Sequence, residues 1–329
     1  MTTLITGAAG FVGLHLTEIL LSRGATVIGL SNAAIPRFVA ARFATLPGRF
    51  VEVIGDVRDD ALLAGVLASH QVERVAHLAA ITASAGREMA SADTILDVNL
   101  VGLATVIKAC ADAKVARFLY CSSIAVFGGV SPDGSLIDED APHVASSLYA
   151  ITKSAGEAIA ARLCGLHGID YVIGRLGRVF GPYEYATGVR DTLSQVYQAT
   201  ALARAREPFC FARPCVKNWN YGPDVAASLA ILLAAPAHDH AVYNLGTPHA
   251  WSLGAWCDRL AETLPGVAYR IGAAQSGERE IDLGGGHDAG LLSWQRFTSE
   301  FDPPAPRGMD AAFDDYLAFL QSEPTLNAS

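Results

Sequence analysis

Thr6-Gly7-Ala8-Ala9-Gly10-Phe11-Val12-Gly13 is the stretch on which the fold of this 329-residue chain turns. It follows a short apolar run at residues 3–6, of strand length, and opens a helix-length apolar stretch at residues 11–23 that Gly24 closes. A strand running into glycines at this spacing lets bare backbone pass close to a pyrophosphate. It also aims the amides and dipole of the next helix at the negative charge. The spacing is Gly-x-x-Gly-x-x-Gly, weak as an isolated pattern, and it gains force from its place after the first strand. A tight turn with no ligand is the bland alternative. Gly7, Gly10, Phe11, Val12 and Gly13 are the first candidate contacts for a dinucleotide.

Working outward, the same rhythm recurs. Residues 26–30, 50–54, 74–78, 117–122 and 171–176 read as strands, with helices over 60–69, 94–113 and 147–167 between them. The strand runs are continuous Val, Ile and Leu rather than alternating, as in strands covered on both faces. This βαβ order predicts an α/β fold, a doubly wound parallel sheet of Rossmann type. Beyond residue 180 the rhythm changes. Helices are expected at 191–205 and 224–235, a loose stretch at 277–290 and a proline-rich link at 302–307. Residues 1–180 are read as a dinucleotide-binding domain and 181–329 as a smaller substrate lobe. Segments around 210–250 are expected to return to the sheet, residues 241–245 in particular.

Composition removes several function classes. Apolar residues make up 51% and charged residues 17%, enough apolar surface to exclude disorder. The net charge is -9, with 20 Arg, four Lys and no run of more than two adjacent basic residues, so no nucleic-acid groove is expected. No apolar run reaches the roughly 18–20 residues of a membrane span, and a strand at residues 4–5 leaves no room for a signal peptide. The six cysteines form no Cys-x-x-Cys pair and no zinc spacing, which points to reduced thiols in the cytoplasm. His238-Asp239-His240 sits in a loop after a helix and is not read as a metal site.

Gly55-Asp56-Val57 closes the third strand, where an adenine ring would lie. Asp56 either accepts from the adenine amino group or caps the following helix. The second strand ends Gly29-Leu30-Ser31-Asn32, without the acid that normally holds the ribose diol. A 2′-phosphate is therefore not repelled by Ser31 or Asn32, and Arg37 could pair with one. The cofactor is read as NAD or NADP, with NADP slightly favoured on this chemistry. Tyr149-Ala-Ile-Thr-Lys153 places a phenol and an ammonium on one helix face. A tyrosine is a poor base at its ordinary pKa of about 10, and a nearby cation favours its phenolate. Ser123, at the end of the fifth strand, could hold a reacting oxygen. Alone the Tyr/Lys pair would be helix surface; beside the glycine turn, at the carboxyl edge of such a sheet, it becomes a catalytic set.

Several motifs occur together: TGAAGFVG at 6–13, GDVRD at 55–59, His77-Leu78-Ala79-Ala80, Val98-Asn99, CSSIAVFG at 121–128, YAITK at 149–153 and Arg175-Leu176-Gly177-Arg178-Val179-Phe180-Gly181-Pro182. On these the chain resembles, over about residues 2–250, the extended short-chain dehydrogenase/reductase family, also called NAD-dependent epimerase/dehydratase. The resemblance implies that Tyr149 is the catalytic acid/base, that Lys153 binds the nicotinamide ribose and tunes it, and that Ser123 orients the reacting group. It implies cofactor contacts at Leu78, Ala79, Ala80, Asn99 and Val179. Family habit implies a homodimer, for which the helices at 94–113 and 147–167 are the expected surfaces.

Departures from the family pattern narrow the chemistry. Dehydratases carry Asp-Glu directly after the catalytic hydroxyl residue, and here Ile124-Ala125 follow Ser123. The related decarboxylases have a glutamate where this chain has Ala125. Arg178 replaces an asparagine usual in nucleotide-sugar members, the usual Gly-Asp-Gly turn is absent, and Lys217 stands where a diphosphate-binding arginine is common. Thr82, Ser123, Arg178, Arg190, Lys217 and Arg279 are the expected substrate contacts, with Arg213 as a further cation for an anionic substrate. The leading expectation is a nucleotide-sugar epimerase. The alternative is a dehydrogenase or reductase of a non-nucleotide polyol, sugar acid or sugar lactone, and a remote third is a non-catalytic dinucleotide sensor. Ser31→Asp is expected to raise the NAD-to-NADP preference at least tenfold by repelling a 2′-phosphate. A ratio of kcat/KM values that stays put removes Ser31 as the selectivity position.

Overall fold

The apolar runs of the first half have no polar face to offer water, so they pair with one another and are roofed on both sides. The computed structural model describes residues 1–128, 136–185, 191–284 and 290–322. Six strands come from the first half: β1 (Thr2–Thr6), β2 (Thr26–Ser31), β3 (Arg49–Ile54), β4 (Arg74–His77), β5 (Arg117–Ser123) and β6 (Asp170–Leu176). Three follow in the second half, β7 (Arg178–Phe180), β8 (Phe209–Phe211) and β9 (Val216–Tyr221), before β10 (Val242–Leu245) rejoins the main sheet. The seven-stranded order is β10-β6-β5-β4-β1-β2-β3, and every pair in it is parallel. Strand order reverses between β1 and β4, and open α/β sheets bind ligands at that switch point.

Alternate residues go to opposite faces. Leu4, Phe118 and Ile173 pack with α3 (Asp60–His70), α5 (Gly102–Asp112) and α6 (Leu148–His167). Ile5, Leu119 and Val172 pack on the other face with α1 (Phe11–Ser22) and α8 (Gly222–Ala234). The same second core takes in Phe211, Trp256 and Phe313 from the later chain, so residues beyond 180 are built onto that face. Two small sheets serve there: β9 lies between β7 and β11 (Ala250–Ser252), and β8 between β12 (Tyr269–Ile271) and β13 (Arg279–Glu280).

Helices at Leu253–Thr263, Gln295–Phe301 and Met309–Ser322 were not expected from the sequence, and the earlier helices differ from expectation at three places. The two-turn α2 (Arg37–Phe43) is too short to carry a periodic signal. Helix α7 (Gln195–Ala205) starts later than residue 191 because Ser194 caps it, its Oγ accepting from Tyr197 N at 3.0 Å. The helix expected at 94–113 is the end of a longer run: α4 (Ala85–Leu96), a π-helical turn at Asp97–Val101, then α5. The π turn swings Asn99 inward, where it accepts from Ile81 N at 2.8 Å and donates to Thr152 Oγ at 3.0 Å. Residues 85–112 are, against the sequence reading, long and apolar enough to span a membrane by length and composition; 44% of the most apolar window is buried inside the fold.

A buried polar knot ties β5, β6 and α6 together beneath the carboxyl edge of the sheet. Glu157 accepts from Ser122 Oγ at 2.5 Å and from two Arg175 nitrogens at 2.9 and 2.7 Å, and Arg175 also donates to the Glu139 carbonyl at 2.8 Å. Removing one partner of such a pair leaves a buried charge unmatched, at a cost of about 3–5 kcal/mol. Glu157→Ala is therefore expected to lose about that much stability in urea denaturation. A loss under about 1 kcal/mol would mean that the Arg175 guanidinium finds water instead.

Candidate active site

The glycine turn is held by what its residues lack. Gly7 has a φ of +72°, and a Cβ added there would stand 2.8 Å from Ala79 N; one on Gly13 would stand 2.3 Å from the Gly7 carbonyl. Gly10 precedes α1 and offers no side-chain cap, so the positive end of the helix faces the turn. Ser31 braces the turn from β2, its Oγ accepting from Ala9 N at 2.8 Å.

Two adjoining cavities of about 490 Å³ each open at this turn and share Gly7, Gly10, Leu78, Ala80 and Tyr185. The first runs toward the ends of β2 and β3 and is lined by Ser31, Asn32, Asp56, Val57 and Ala79. Asp56 is gripped by Arg58, which donates to both carboxylate oxygens at 2.9 and 2.6 Å and holds the carboxyl below its usual range. Asp59, not Asp56, caps α3, accepting from Leu62 N at 2.9 Å. The second cavity contains Phe11, Val12, Gly13, Thr82, Ser123, Tyr149, Lys153, Arg178, Val179 and Lys217. The main sheet meets it at its carboxyl edge, and α1, α6, α7 and β9 supply the other walls.

Ser123 ends β5, with its Oγ accepting from Ala125 N at 3.1 Å. Tyr149 lies in the first turn of α6, which Ser147 caps by accepting from Ala150 N at 3.2 Å, so the positive end of that helix dipole lies by the phenol. One turn on, Lys153 is only 4% exposed; its Nζ donates to the Cys121 carbonyl at 2.7 Å and sits 5.8 Å from the Tyr149 ring centre. Burial pulls the Lys153 ammonium below the ordinary lysine range, with Cys121 and Glu157 opposing the shift. His77 lies behind it, accepting or donating at Thr6 Oγ over 2.9 Å, and burial together with the Lys153 charge drives its pKa down to about 3. It is neutral at physiological pH and serves as packing between β1 and β4.

Three expected contact residues stand outside the two cavities. Asn99 is buried on Ile81 and Thr152 and lines neither cavity, because the π turn spends its amide on the β4–α4 connection. Arg37 is exposed at the first turn of α2, outside both cavities. Arg279 lies on the outer strand β13, 73% exposed and 3.7 Å from Glu207. Arg190 lies outside the described residues. Arg213 stands at the margin, with one nitrogen 3.5 Å from the Gly284 carbonyl.

Sequence reading missed the residues that cross the cleft. Tyr185 lines both cavities and donates to the Ala9 carbonyl at 2.9 Å; burial raises its pKa to about 12, so it remains a phenol. Asp191 reaches over to α4, accepting from Ser84 N and Oγ at 2.8 and 2.9 Å and from Arg87 at 2.9 Å. Glu184 accepts from Ser194 N and Oγ at 2.6 and 2.7 Å. Neither periodicity nor a motif marks these residues, since they lie in an irregular connection after Gly181-Pro182.

A family model, the NAD dependent epimerase/dehydratase family, matches residues 3–246. The chain belongs to this family. It is 32% identical to a dTDP-glucose 4,6-dehydratase of Streptomyces niveus over 56% of each chain. It is also 32% identical to UDP-glucuronate 4-epimerase 3 of Arabidopsis thaliana over 55% of this chain and 43% of that one. These alignments thus span about half the length of the relatives. The UDP-glucuronic acid 4-epimerase from Bacillus cereus, solved with UDP-glucuronic acid and NAD, has the same fold, with a TM-score of 0.80 at 19% identity over 98% of this chain and 99% of that one. Bare backbone at Gly7 and Gly13, the N-terminus of α1 and the Asp56 carboxylate suit a dinucleotide in this family member. Tyr185→Phe deletes the donor to Ala9, a bond of about 0.5–1.5 kcal/mol, and is expected to release NAD about two- to tenfold faster in stopped-flow fluorescence. An unchanged rate would confine Tyr185 to shaping the cavity wall.

Proposed function

We propose that this enzyme oxidises and re-reduces a secondary alcohol of a nucleotide-linked sugar, with NAD as its cofactor, and so inverts one carbon. The observation that carries the reading is the meeting of Ser123, Tyr149 and Lys153 in one cavity whose far wall is the glycine turn. The chemistry a bound nicotinamide supplies there is reversible hydride acceptance. Ser123 Oγ holds the substrate oxygen. Tyr149, as phenolate, takes the hydroxyl proton as hydride leaves the carbon, and gives it back when hydride returns to the other face. The Lys153 ammonium and the α6 dipole both stabilise the phenolate. General acid–base groups of this kind contribute about 10²–10⁴ in rate.

Dehydration lacks its acids, because Ile124 and Ala125 follow Ser123, and this sets the chain apart from what the dehydratase relatives are named for. Lys217 supports a phosphate-linked substrate. Arg178, in place of an asparagine, supports the second reading, a dehydrogenase of a sugar acid or other non-nucleotide sugar. A sensor without chemistry would have no reason to keep all three catalytic groups together. The expectation that slightly favoured NADP gains nothing from a relative solved with NAD, although no acid at the end of β2 forbids it. We assign dinucleotide binding to residues 1–180 with β10 and substrate binding mainly to residues 181–329. A cytoplasmic homodimer formed through α5 and α6 completes the proposal, in keeping with six free, buried cysteines.

Purifying the protein without added cofactor, denaturing it and identifying any released dinucleotide tests the reading. An epimerase must keep its reduced cofactor until hydride goes back, so stoichiometric NAD is expected. An empty protein that reduces added NAD or NADP with a sugar would replace the epimerase by a dehydrogenase. Tyr149→Phe is expected to bind NAD as before and to lose at least a hundredfold in turnover; near-normal turnover removes Tyr149 from the chemistry.

A further inference from the structure

We propose that the turn from Ser84 to Glu88 is a bracket that sets Tyr149 against the wall of the sugar cavity, with Glu88 and Asp191 as its two positioning residues. The inference deepens the reading above and rests on it for the role of Tyr149.

Glu88 reaches the start of the catalytic helix. Its Oε1 accepts from Leu148 N, the first amide of α6, at 2.8 Å and across 60 residues of chain. Tyr149 is the next residue. An amide in the first turn of a helix has no carbonyl partner within it, and the dipole favours a carboxylate at that end. Ser147 meets the Ala150 amide from the helix's own cap, so Glu88 adds a hold from outside. From the other side of the same turn, one Asp191 oxygen accepts from Ser84 N and Oγ at 2.8 and 2.9 Å, and the second accepts from Arg87 at 2.9 Å. The Asp191 amide completes this clasp by donating to the Thr82 carbonyl at 3.1 Å.

The two attachments belong to different walls of one cavity. Asp191 leads directly into Thr192, Leu193, Ser194 and Gln195, which line the second cavity together with Thr82 and Tyr149. The helical run of α4 is broken at Ser91, so the bracket is not a rigid extension of α5 and takes its place from its bonds to Asp191 and Leu148. Displacing the wall is thereby felt at the residue before Tyr149. Lys153, one turn further on, is held by the Cys121 carbonyl and does not follow when the first turn of α6 slips. About Tyr149 stand Lys153 on its own helix, Tyr120 on β5, Glu88 on α4 and, across the second cavity, Arg178 and Lys217. The Glu88 charge disfavours the phenolate that the Lys153 charge favours. Bond and charge of Glu88 therefore act on the phenol in opposite senses, which separates them by experiment.

The test titrates Tyr149 through the phenolate absorbance of the NAD-loaded protein, with Y149F as the blank, in wild type, E88Q, E88A and D191A. E88Q keeps an acceptor for Leu148 N and removes the charge, so the midpoint is expected to fall by about 0.3–1 in pH. E88A removes both, lets the start of α6 slip away from Lys153, and is expected to raise the midpoint above wild type. D191A, at a residue that does not line the cavity, should raise it too, although a negative charge is lost. Equal falls in E88Q and E88A, or a D191A midpoint at or below wild type, would overturn the bracket and leave Glu88 as a charge alone. E88M, of similar volume, repeats the comparison where E88A does not fold. Hydrogen exchange reads the bracket without reference to the role of Tyr149. In E88A or E88M the Leu148 and Tyr149 amides should exchange at least tenfold faster, with residues 160–167 unchanged; unaltered exchange overturns the proposal. If K153M leaves the wild-type midpoint in place, the acid–base reading fails instead, and the exchange comparison still decides the bracket.

Discussion

The close approach of backbone to backbone at the first turn is the constraint on which the rest depends. Gly7 must lie against Ala79 N, and α1 must begin within a Cβ radius of the Gly7 carbonyl. These two contacts fix β1, β4 and α1 relative to one another at the point where the strand order reverses. The crevice at the switch point follows from them, since β1 and β4 send their chains to opposite faces of the sheet. Ser31 adds a third support from the neighbouring strand. A hydroxyl read as a cofactor contact is thereby partly consumed by the turn it serves.

The chemistry stands on a second constraint, which is the rigidity of the β5–α6 pair. Ser123 and Tyr149 come from elements that are joined beneath the cavity by Glu157, Ser122 and Arg175. A buried ion pair is weak evidence of net stability, because desolvation offsets much of its attraction. Its value here is geometric: two carboxylate oxygens fix one strand end, the neighbouring strand and the helix that carries Tyr149 and Lys153. The stability link and the positioning link are thus the same set of hydrogen bonds. Lys153, facing inward from that helix, has lost most of its water and is held by a single carbonyl, which leaves its charge available to the phenol.

Legibility in the sequence followed periodicity and local chemistry. The parallel sheet, the return of β10 and the cavity set Gly7, Gly13, Ser123, Tyr149, Lys153 and Lys217 could be read because each sits in a regular element or at its end. Asn99 entered the cofactor set by family resemblance alone, and the π turn, invisible to a 3.6-residue pattern, carries its amide to Ile81 and Thr152. Arg37 and Arg279 were drawn in by charge alone, and a lone arginine is most often a solvated surface group. Tyr185, Asp191 and Glu184 were missed for the converse reason. They act through long-range hydrogen bonds from an irregular connection, and nothing local announces such partners.

The cations described along the second cavity are added to the scaffold rather than required by it. An acidic protein can meet its surface charge anywhere, but the charged residues described along this cavity are Lys153, Arg178 and Lys217, with no Asp or Glu among the described residues. Nothing in the Rossmann scaffold demands this, because the glycine turn and the Ser-Tyr-Lys set operate whatever the sugar carries. Scaffold and selectivity are written in separate parts of the chain, and the second is the part in which Arg178 departs from its family.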